Sequence, residues 1–341
     1  MAGDELSLCI DNRWRVSKAW TRDGVNRLTS GANSDKWKRL LAFAIIYFVW
    51  GSTFLAIRIG VHEVPPLLLA AIRFSIAGLA LFLWVTARGE RLPTARQWAA
   101  ATLLGFFIFV CDYGLLFWAE KRVPSGIAAV MLALIPAFMA ISEILFLGTQ
   151  KLTLRLAAAL IVGLGGVGVL MSHSLSVGGA PIDRTGAVAL IVAALSWSVS
   201  SVLTRKVPLP DSKVMSSGAQ MLAGGLLLAL AAAGFGEFRD FHFSSVSREA
   251  WLALAYLIVA GSIVGYTAYL WLLHRESPTK VATYAYVNPI VAVIMGYFFG
   301  GEPLDLRTIL GTALVLVSVI VITTTDSKAP APARLAIEEA D

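Results

Sequence analysis

The feature that most constrains this chain is a train of apolar runs, each about 20 residues long, that follow one another from Lys38 to Thr325. A helix of that length crosses ~30 Å of hydrocarbon at a rise of ~1.5 Å per residue. In lipid, repeated runs of this kind satisfy their backbone polar groups as a helical bundle. A β-barrel would instead alternate polar and apolar residues in segments of about ten. The spans read as 38–60, 65–87, 97–118, 124–147, 153–173, 184–206, 213–235, 250–273, 279–300 and 304–325. Between them stand loop signals: Pro65-Pro66, "RGERLPTAR", Pro124, "GTQK", "GGAPIDR", "RKVPLPDSK", "GEFRDFHF", "HRESP" and "GGEPLD". Composition agrees, since 15% of residues are charged where a soluble domain carries about 25%. The expected fold is an all-α integral membrane protein of ten transmembrane helices.

Charge sets the orientation. With the N-terminus inside, cytoplasmic segments hold twenty of the 28 Lys and Arg residues and outer loops hold six, leaving Arg58 and Arg73 within spans. Positive residues favour the cytoplasmic face, so both termini are expected there. The same placement accounts for the net charge of +6 without a nucleic-acid partner, because the cations follow the loops. Residues 1–37 and 326–341 read as cytoplasmic tails. The first mixes basic side chains with Trp14 and Trp20 and suits contact with anionic lipid; the second reads as disordered. The polar start and long first run lack the form of a cleavable signal peptide. Cys9 and Cys111 fall in different compartments, so neither a disulfide framework nor metal spacing arises, and no cofactor or metal is expected.

The chain also matches itself. A shift of 147 residues lays Trp50 on Trp197, Arg58 on Arg205, Arg73 on Gln220 and Gly78 on Gly225. After one insertion the shift becomes 153 and matches Tyr113 with Tyr266, Trp118 with Trp271, Arg122 with Arg275, Pro136 with Pro289, Phe146 with Phe299 and Gly148 with Gly301. An ordered series of this kind marks a duplication, with repeats at 38–175 and 183–325. Each repeat holds five spans, an odd number, so the second runs through the membrane inverted. Inverted repeats around a central site are the build of secondary transporters.

Four segments carry a specific resemblance: "FVWGSTF", "AAIRFSIAGLAL", "VPSGIAAVMLALIPAFMAI" and "YVNPIVAVIMGYFFGGEPL". Over 38–325 the chain resembles the EamA family of the drug/metabolite transporter superfamily. The resemblance implies two inverted five-helix halves and export of amino acids or other small metabolites across the bacterial inner membrane. One departure stands out. Gly301-Glu302 after span nine is matched by Gly148-Thr149 in the first half, where family members often carry a second glutamate.

Ionisable residues inside a membrane cost ~2.5–3.5 kcal/mol on insertion scales, so each asks for a partner or a function. Arg73 lies ~12 Å past Pro65 and Asp112 ~13 Å before Lys121, counted from the same face. Opposite charge at matched depth suggests an Arg73–Asp112 ion pair, and both charges vanish together in the second repeat (Gln220, Gly265). The competing account has Arg73 on helix-end carbonyls and Asp112 facing water. Glu143, in the inner third of span four, reads either as the site of a coupling proton or as an interfacial carboxylate in cytoplasmic water. Arg58 reads as a snorkelling side chain.

Pro136 and Asn288-Pro289 fall at the centres of spans four and nine. Paired helix breaks in two halves point to a binding site, with packing curvature as the alternative. Trp50 and Trp197 lie near mid-span, which favours a cavity wall over an interfacial belt; Trp118 and Trp271 suit the belt. The candidate substrate cavity is therefore Trp50, Ser52, Thr53, Tyr113, Pro136, Trp197, Gln220, Tyr266, Tyr269, Tyr284, Asn288 and Pro289, with Arg73, Asp112 and Glu143 as coupling or ion-pair residues. Gly51, Gly163, Gly165, Gly166 and Gly168 read as helix-packing positions.

The expected function is export of small amphipathic metabolites by alternating access, with the lipid bilayer and a small-molecule substrate as partners. The sequence leaves coupling and oligomeric state open, and a monomer is compatible with it. An organic-anion or sugar-phosphate exchanger would want several cavity-facing cations, and only Arg73 qualifies. A sensor or scaffold has no positive feature. An enzyme would want clustered acid–base groups, yet His62, His173, His242 and His274 are scattered and no nucleophile–base pair is visible.

Overall fold

The computed structural model describes residues 36–122, 128, 131–176, 183–239, 241–300 and 306–324. The tail residues 1–35 and 326–341, the Pro124 break and Gly301-Glu302 lie outside the described residues. Among the described residues every regular element is helical. The main helices are α1 (Lys36–Glu63), α2 (Pro66–Ala87), α3 (Ala95–Glu120), α4 (Ile135–Leu147) and α5 (Leu154–Ser176). They continue as α6 (Arg184–Leu203), α7 (Lys213–Gly234), α8 (Arg248–Leu273), α9 (Tyr284–Gly300) and α10 (Leu306–Thr324). A single helical turn, Pro278–Val281, precedes α9. Helices α1, α2, α3, α6, α7 and α8 are long and apolar enough to cross a membrane, and Ile135–Leu147, Leu154–Gly166 and Ile309–Ile322 are shorter apolar stretches.

The helix ends follow from local sequence. Pro66 opens α2, where its missing N–H costs nothing. Thr94 and Gln97 form a reciprocal capping box on α3. Asp183, Ser212 and Ser247 accept first-turn N–H groups of α6, α7 and α8. Two caps are tertiary. Glu237 accepts the Leu68 N–H at 2.8 Å, and Glu63 accepts both the N–H and the hydroxyl of Ser247 at 2.6 Å. The α1 and α2 ends are thereby tied to the second half of the chain.

Large apolar side chains such as Leu145, Ile161 and Leu230 stand about 70% exposed, the expected state of a lipid-facing surface. Inside, α2 packs along α7 and α5 along α10. The first contact is reciprocal: a Cβ on Gly78 would lie 2.3 Å from the Leu222 nitrogen, and one on Gly225 would lie 2.5 Å from the Ser75 nitrogen. Leu222 and Ser75 are themselves related by the 147-residue shift. Only glycine lets the two backbones approach this closely. Gly166 meets Val315 in the same way in the α5–α10 contact, and Gly51 seats α1 on Val291 of α9.

Two helices widen into π-helical segments at overlapping places of the two halves: Phe106–Gly114 in α3 and Leu257–Val264 in α8. A third, Glu143–Leu147, ends α4, and Gly148 closes it with φ of 65°. Pro136 departs from expectation. It is the second residue of α4, after a turn at Ala133-Leu134, and not a proline in a helix interior. A proline in the first helical turn forfeits no intrahelical bond, so the break lies before it. Pro289 does sit inside α9.

Candidate functional site

Where α1, α3, α4, α6 and α9 converge, side chains line a cavity of about 60 Å³. α1 contributes Trp50, Thr53, Phe54 and Ile57, a stripe at helical spacing. α3 contributes Asp112, Tyr113 and Leu116; Leu132 and Ile135 come from the α4 region, and Trp197 from α6. Tyr284, Ala285, Asn288 and Pro289 of α9 complete the wall.

Five of the fourteen lining side chains are aromatic, and most of them belong to one ring cluster. The Trp50 and Trp197 rings meet edge to face with centroids 5.5 Å apart. Tyr284 lies 4.8 Å from Trp50, and Tyr269 lies 5.1 Å from Trp50 and 5.0 Å from Trp197. Tyr113 reaches Trp197 at 5.8 Å. Centroid separations of ~4.5–7 Å are those at which edge and tilted ring pairs attract. Hydrogen bonds fix the rings from behind. Trp50 Nε1 donates to the Gly261 carbonyl at 3.0 Å, inside the π segment of α8. Tyr269 donates to Ser201 at 2.6 Å, and Tyr266 donates to Gln220 at 3.1 Å. Gln220 in turn donates to Ser216.

The candidates from sequence therefore divide. Trp50, Thr53, Asp112, Tyr113, Trp197, Tyr284, Asn288 and Pro289 line the cavity. Gln220, Tyr266 and Tyr269 are buried one layer behind it. Ser52 faces the other way and shares a 2.6 Å hydrogen bond with Tyr256. Pro136 leaves the wall to its neighbour Ile135. Phe54, Ile57, Leu116, Leu132, Ile135 and Ala285 are lining residues that the sequence reading missed. The first two were accessible, because positions 50, 53, 54 and 57 share one helical face.

The charged residues depart furthest from expectation. Arg73 is 1% exposed, yet it does not pair with Asp112; among the described residues the ion pair within 4 Å is Arg39–Glu276. Arg73 Nε instead donates to Ser262 of α8 at 2.8 Å, and its guanidinium lies over the Phe74 and Tyr113 rings. Glu120, whose buried carboxylate oxygens lack a hydrogen-bond partner among the described residues, lies in the field of Arg58 and Arg73. Asp112 is 4% exposed and turned to the cavity, with no hydrogen bond from its carboxylate among the described residues. Asn288 Oδ1 is likewise buried without a partner.

Glu143 is fully buried, not an interfacial carboxylate in water. It accepts the Thr149 hydroxyl at 2.9 Å, the Thr279 hydroxyl at 2.8 Å and the Thr279 N–H at 3.1 Å. Three further contacts lie toward the same end of the bundle. Tyr47 bonds Thr283 at 2.6 Å, Arg205 donates to the Leu273 and Glu276 carbonyls, and Arg39 pairs with Glu276 at 3.3 Å. Arg122 stacks on Trp118 and Arg275 on Trp271, at 3.7 and 4.1 Å, so the same cation–aromatic pair recurs 153 residues on.

Comparison with known proteins bears on this arrangement. A family model described as the EamA-like transporter family matches residues 37–172 and again residues 184–324. The "Uncharacterized inner membrane transporter YedA" of Escherichia coli is 34% identical over 82% of this chain and 89% of its own length. A "Probable amino-acid metabolite efflux pump" of Salmonella typhimurium is 27% identical over 81% of this chain and 92% of its own. "Protein PecM" of Dickeya dadantii is 27% identical over 80% and 88%. A solved crystal structure, 23% identical, superposes with a TM-score of 0.66 over 84% of this chain and 97% of that one, which shows a shared fold.

Proposed function

This chain belongs to the EamA-like transporter family, and on that premise we propose that it exports small amphipathic metabolites across the bacterial inner membrane by alternating access. The observation that carries the reading is the cavity itself. It is enclosed by Trp50, Trp197, Tyr284 and Asn288, drawn from both copies of the family match, so neither half makes a site alone. A secondary transporter puts its substrate at such a repeat interface.

The finer architecture is part of the proposal: ten membrane spans in two inverted five-helix repeats, with both termini cytoplasmic. The double family match supports it. So do the reciprocal Gly78 and Gly225 contacts, the π segments in α3 and α8, and the recurring Arg–Trp pairs. In that orientation the stripe from Trp50 to Ile57 runs toward the outer face. The bonds of Glu143, Tyr47, Arg205 and Arg39 then close the inner side, giving a state closed to the cytoplasm. Alternating access would exchange this closure for its counterpart at the other face.

Glu143, the acid read from the sequence as a site for a coupling proton, is held by three hydrogen bonds from threonines, whereas Asp112, read there as an ion-pair partner, faces the cavity with no bonded partner among the described residues. As the acid that lines the cavity, Asp112 is assigned the coupling proton. Counterflow in proteoliposomes tests the whole reading with a panel of amino acids, amines, sugars and organic anions, with and without a pH gradient. Saturable exchange of at least one solute is expected, and its gradient sensitivity is expected to disappear in Asp112→Asn. Absence of exchange for every solute in folded preparations would overturn it.

A further inference from the structure

The cavity wall carries an imbalance that bears on which small molecules it accepts. Its ionisable carboxylate, Asp112, is 4% exposed and has no cation within 4 Å among the described residues. A buried carboxylate without hydrogen bonds or counter-charge is costly, and it is relieved by taking up a proton or by pairing with a cationic ligand. A second acceptor, Asn288 Oδ1, is also buried in the wall without a donor among the described residues. The same wall carries the rings of Trp50, Tyr113, Trp197 and Tyr284. Aromatic rings attract a desolvated ammonium through their quadrupoles.

The nearby guanidinium does not cancel this. Arg73 is absent from the lining, donates to Ser262 and lies against the Tyr113 ring, although its Nη1 has no hydrogen-bond partner among the described residues. Its field is also shared with the buried carboxylate of Glu120. A ligand carboxylate entering the cavity would find neutral donors, such as the unpartnered Trp197 indole N–H, and no cation in the wall among the described residues. An ammonium would find one carboxylate, one amide oxygen and several rings.

We propose that this cavity is a site for a small organic ammonium ion, which it prefers over the corresponding zwitterionic amino acid. The inference rests on the transporter reading only for its physiological use; as a statement about binding it stands on the wall chemistry. The ammonium sits between Asp112 and Asn288, and the apolar body lies against Phe54, Ile57 and Leu116. These apolar side chains suit a short aliphatic chain.

The test is equilibrium binding to purified full-length protein, with no gradient imposed, using four molecules of one skeleton. These are isoamylamine, its carboxylated form leucine, isoamyl alcohol and isovalerate. Quenching of intrinsic tryptophan fluorescence reports occupancy. Isoamylamine is expected to bind at least about tenfold tighter than the other three, since leucine and isovalerate bring an unmatched carboxylate into the site and the alcohol lacks the charge that pairs with Asp112. Asp112→Asn, close to isosteric, is expected to abolish the preference for the amine over the alcohol. The wild-type ranking needs no variant to fold. Leucine or isovalerate binding as well as the amine, no binding by the amine, or an undiminished preference in a folded Asp112→Asn protein would each overturn the proposal. Counterflow separates the two readings. Amine that binds without exchanging leaves this site standing and counts against transport, whereas exchange of other solutes without amine binding does the reverse.

Discussion

The carboxylate of Glu143 accepts both the backbone N–H and the hydroxyl of Thr279, 136 residues further on, and so joins the end of α4 to the turn that leads into α9. Thr149, the residue that stands where the second half has Glu302, supplies its third bond. The first half thus has, in place of a second glutamate, a threonine that serves the acid already present on α4.

Removing that acid should be costly. Glu143→Ala leaves the Thr279 N–H and two hydroxyls without their acceptor, and an unsatisfied buried group costs about 1–3 kcal/mol. Thermal unfolding in detergent should show Glu143→Ala and Thr279→Val each lowering the midpoint. The double variant should fall short of the sum by about 1 kcal/mol, because both changes delete one interaction. Additive losses would mean that the bond contributes nothing.

The glycine contacts give a sharper contrast. A methyl on Gly78 or Gly225 meets backbone atoms of the opposing helix, which cannot swing aside, whereas one on Gly165 or Gly168 meets no heavy atom within 4 Å. Gly78→Ala and Gly225→Ala should each destabilise by about 1–3 kcal/mol or more, the usual cost of overpacking. Gly165→Ala and Gly168→Ala should be neutral or stabilising by up to ~1 kcal/mol through helix propensity. Comparable effects at all four positions in the same unfolding assay would contradict the reciprocal close approach of α2 and α7.

Trp50 combines ring packing with one directed bond, and two substitutions separate them. Trp50→Phe keeps most of the contact with Trp197, Tyr269 and Tyr284 but frees the Gly261 carbonyl, a loss of about 1 kcal/mol. Trp50→Ala removes the ring and should cost about 3–5 kcal/mol. Counterflow and melting should therefore rank wild type, Phe and Ala in that order. A Phe variant as impaired as Ala would show that the indole N–H, and not the ring, is what the α8 π segment depends on.

How far the sequence reached follows from what it encodes directly. Helix ends were legible because their signals are local: Pro66 opens α2, Thr94 caps α3 and Asp183 caps α6. The cavity's aromatic half was legible from depth and from the 147-residue match of Trp50 with Trp197. The partner of Arg73 was not. Depth along a span gives a residue's height but not its direction around the helix axis. The π segment of α3 adds backbone to the turn that carries Asp112, and so alters that direction. Asp112 consequently faces the cavity, while Arg73 meets Ser262, which carries no sequence signal as a guanidinium partner. Glu143 shows a similar limit. Its acceptors' partners, Thr149 and Thr279, become neighbours only once the chain has folded.

The last prediction concerns pH and lies outside the apolar spans. His274 follows the end of α8, half-buried, with Nδ1 2.8 Å from the Leu270 carbonyl. Burial holds its pKa below the ordinary 6.5, assisted by the positive charges of Lys213, Arg205 and Arg275 and opposed by the Leu270 hydrogen bond. The folded protein therefore binds this proton less readily than the unfolded chain does. By linkage, the stability associated with neutral His274 is fully present above about pH 6.5 and is lost as pH falls through the lowered folded value. Melting temperatures should decline on acidification from about pH 7 to about pH 5, and part of that decline should vanish in His274→Gln, which carries no proton to gain. Parallel curves for the two proteins across that range would assign the acid sensitivity to other groups.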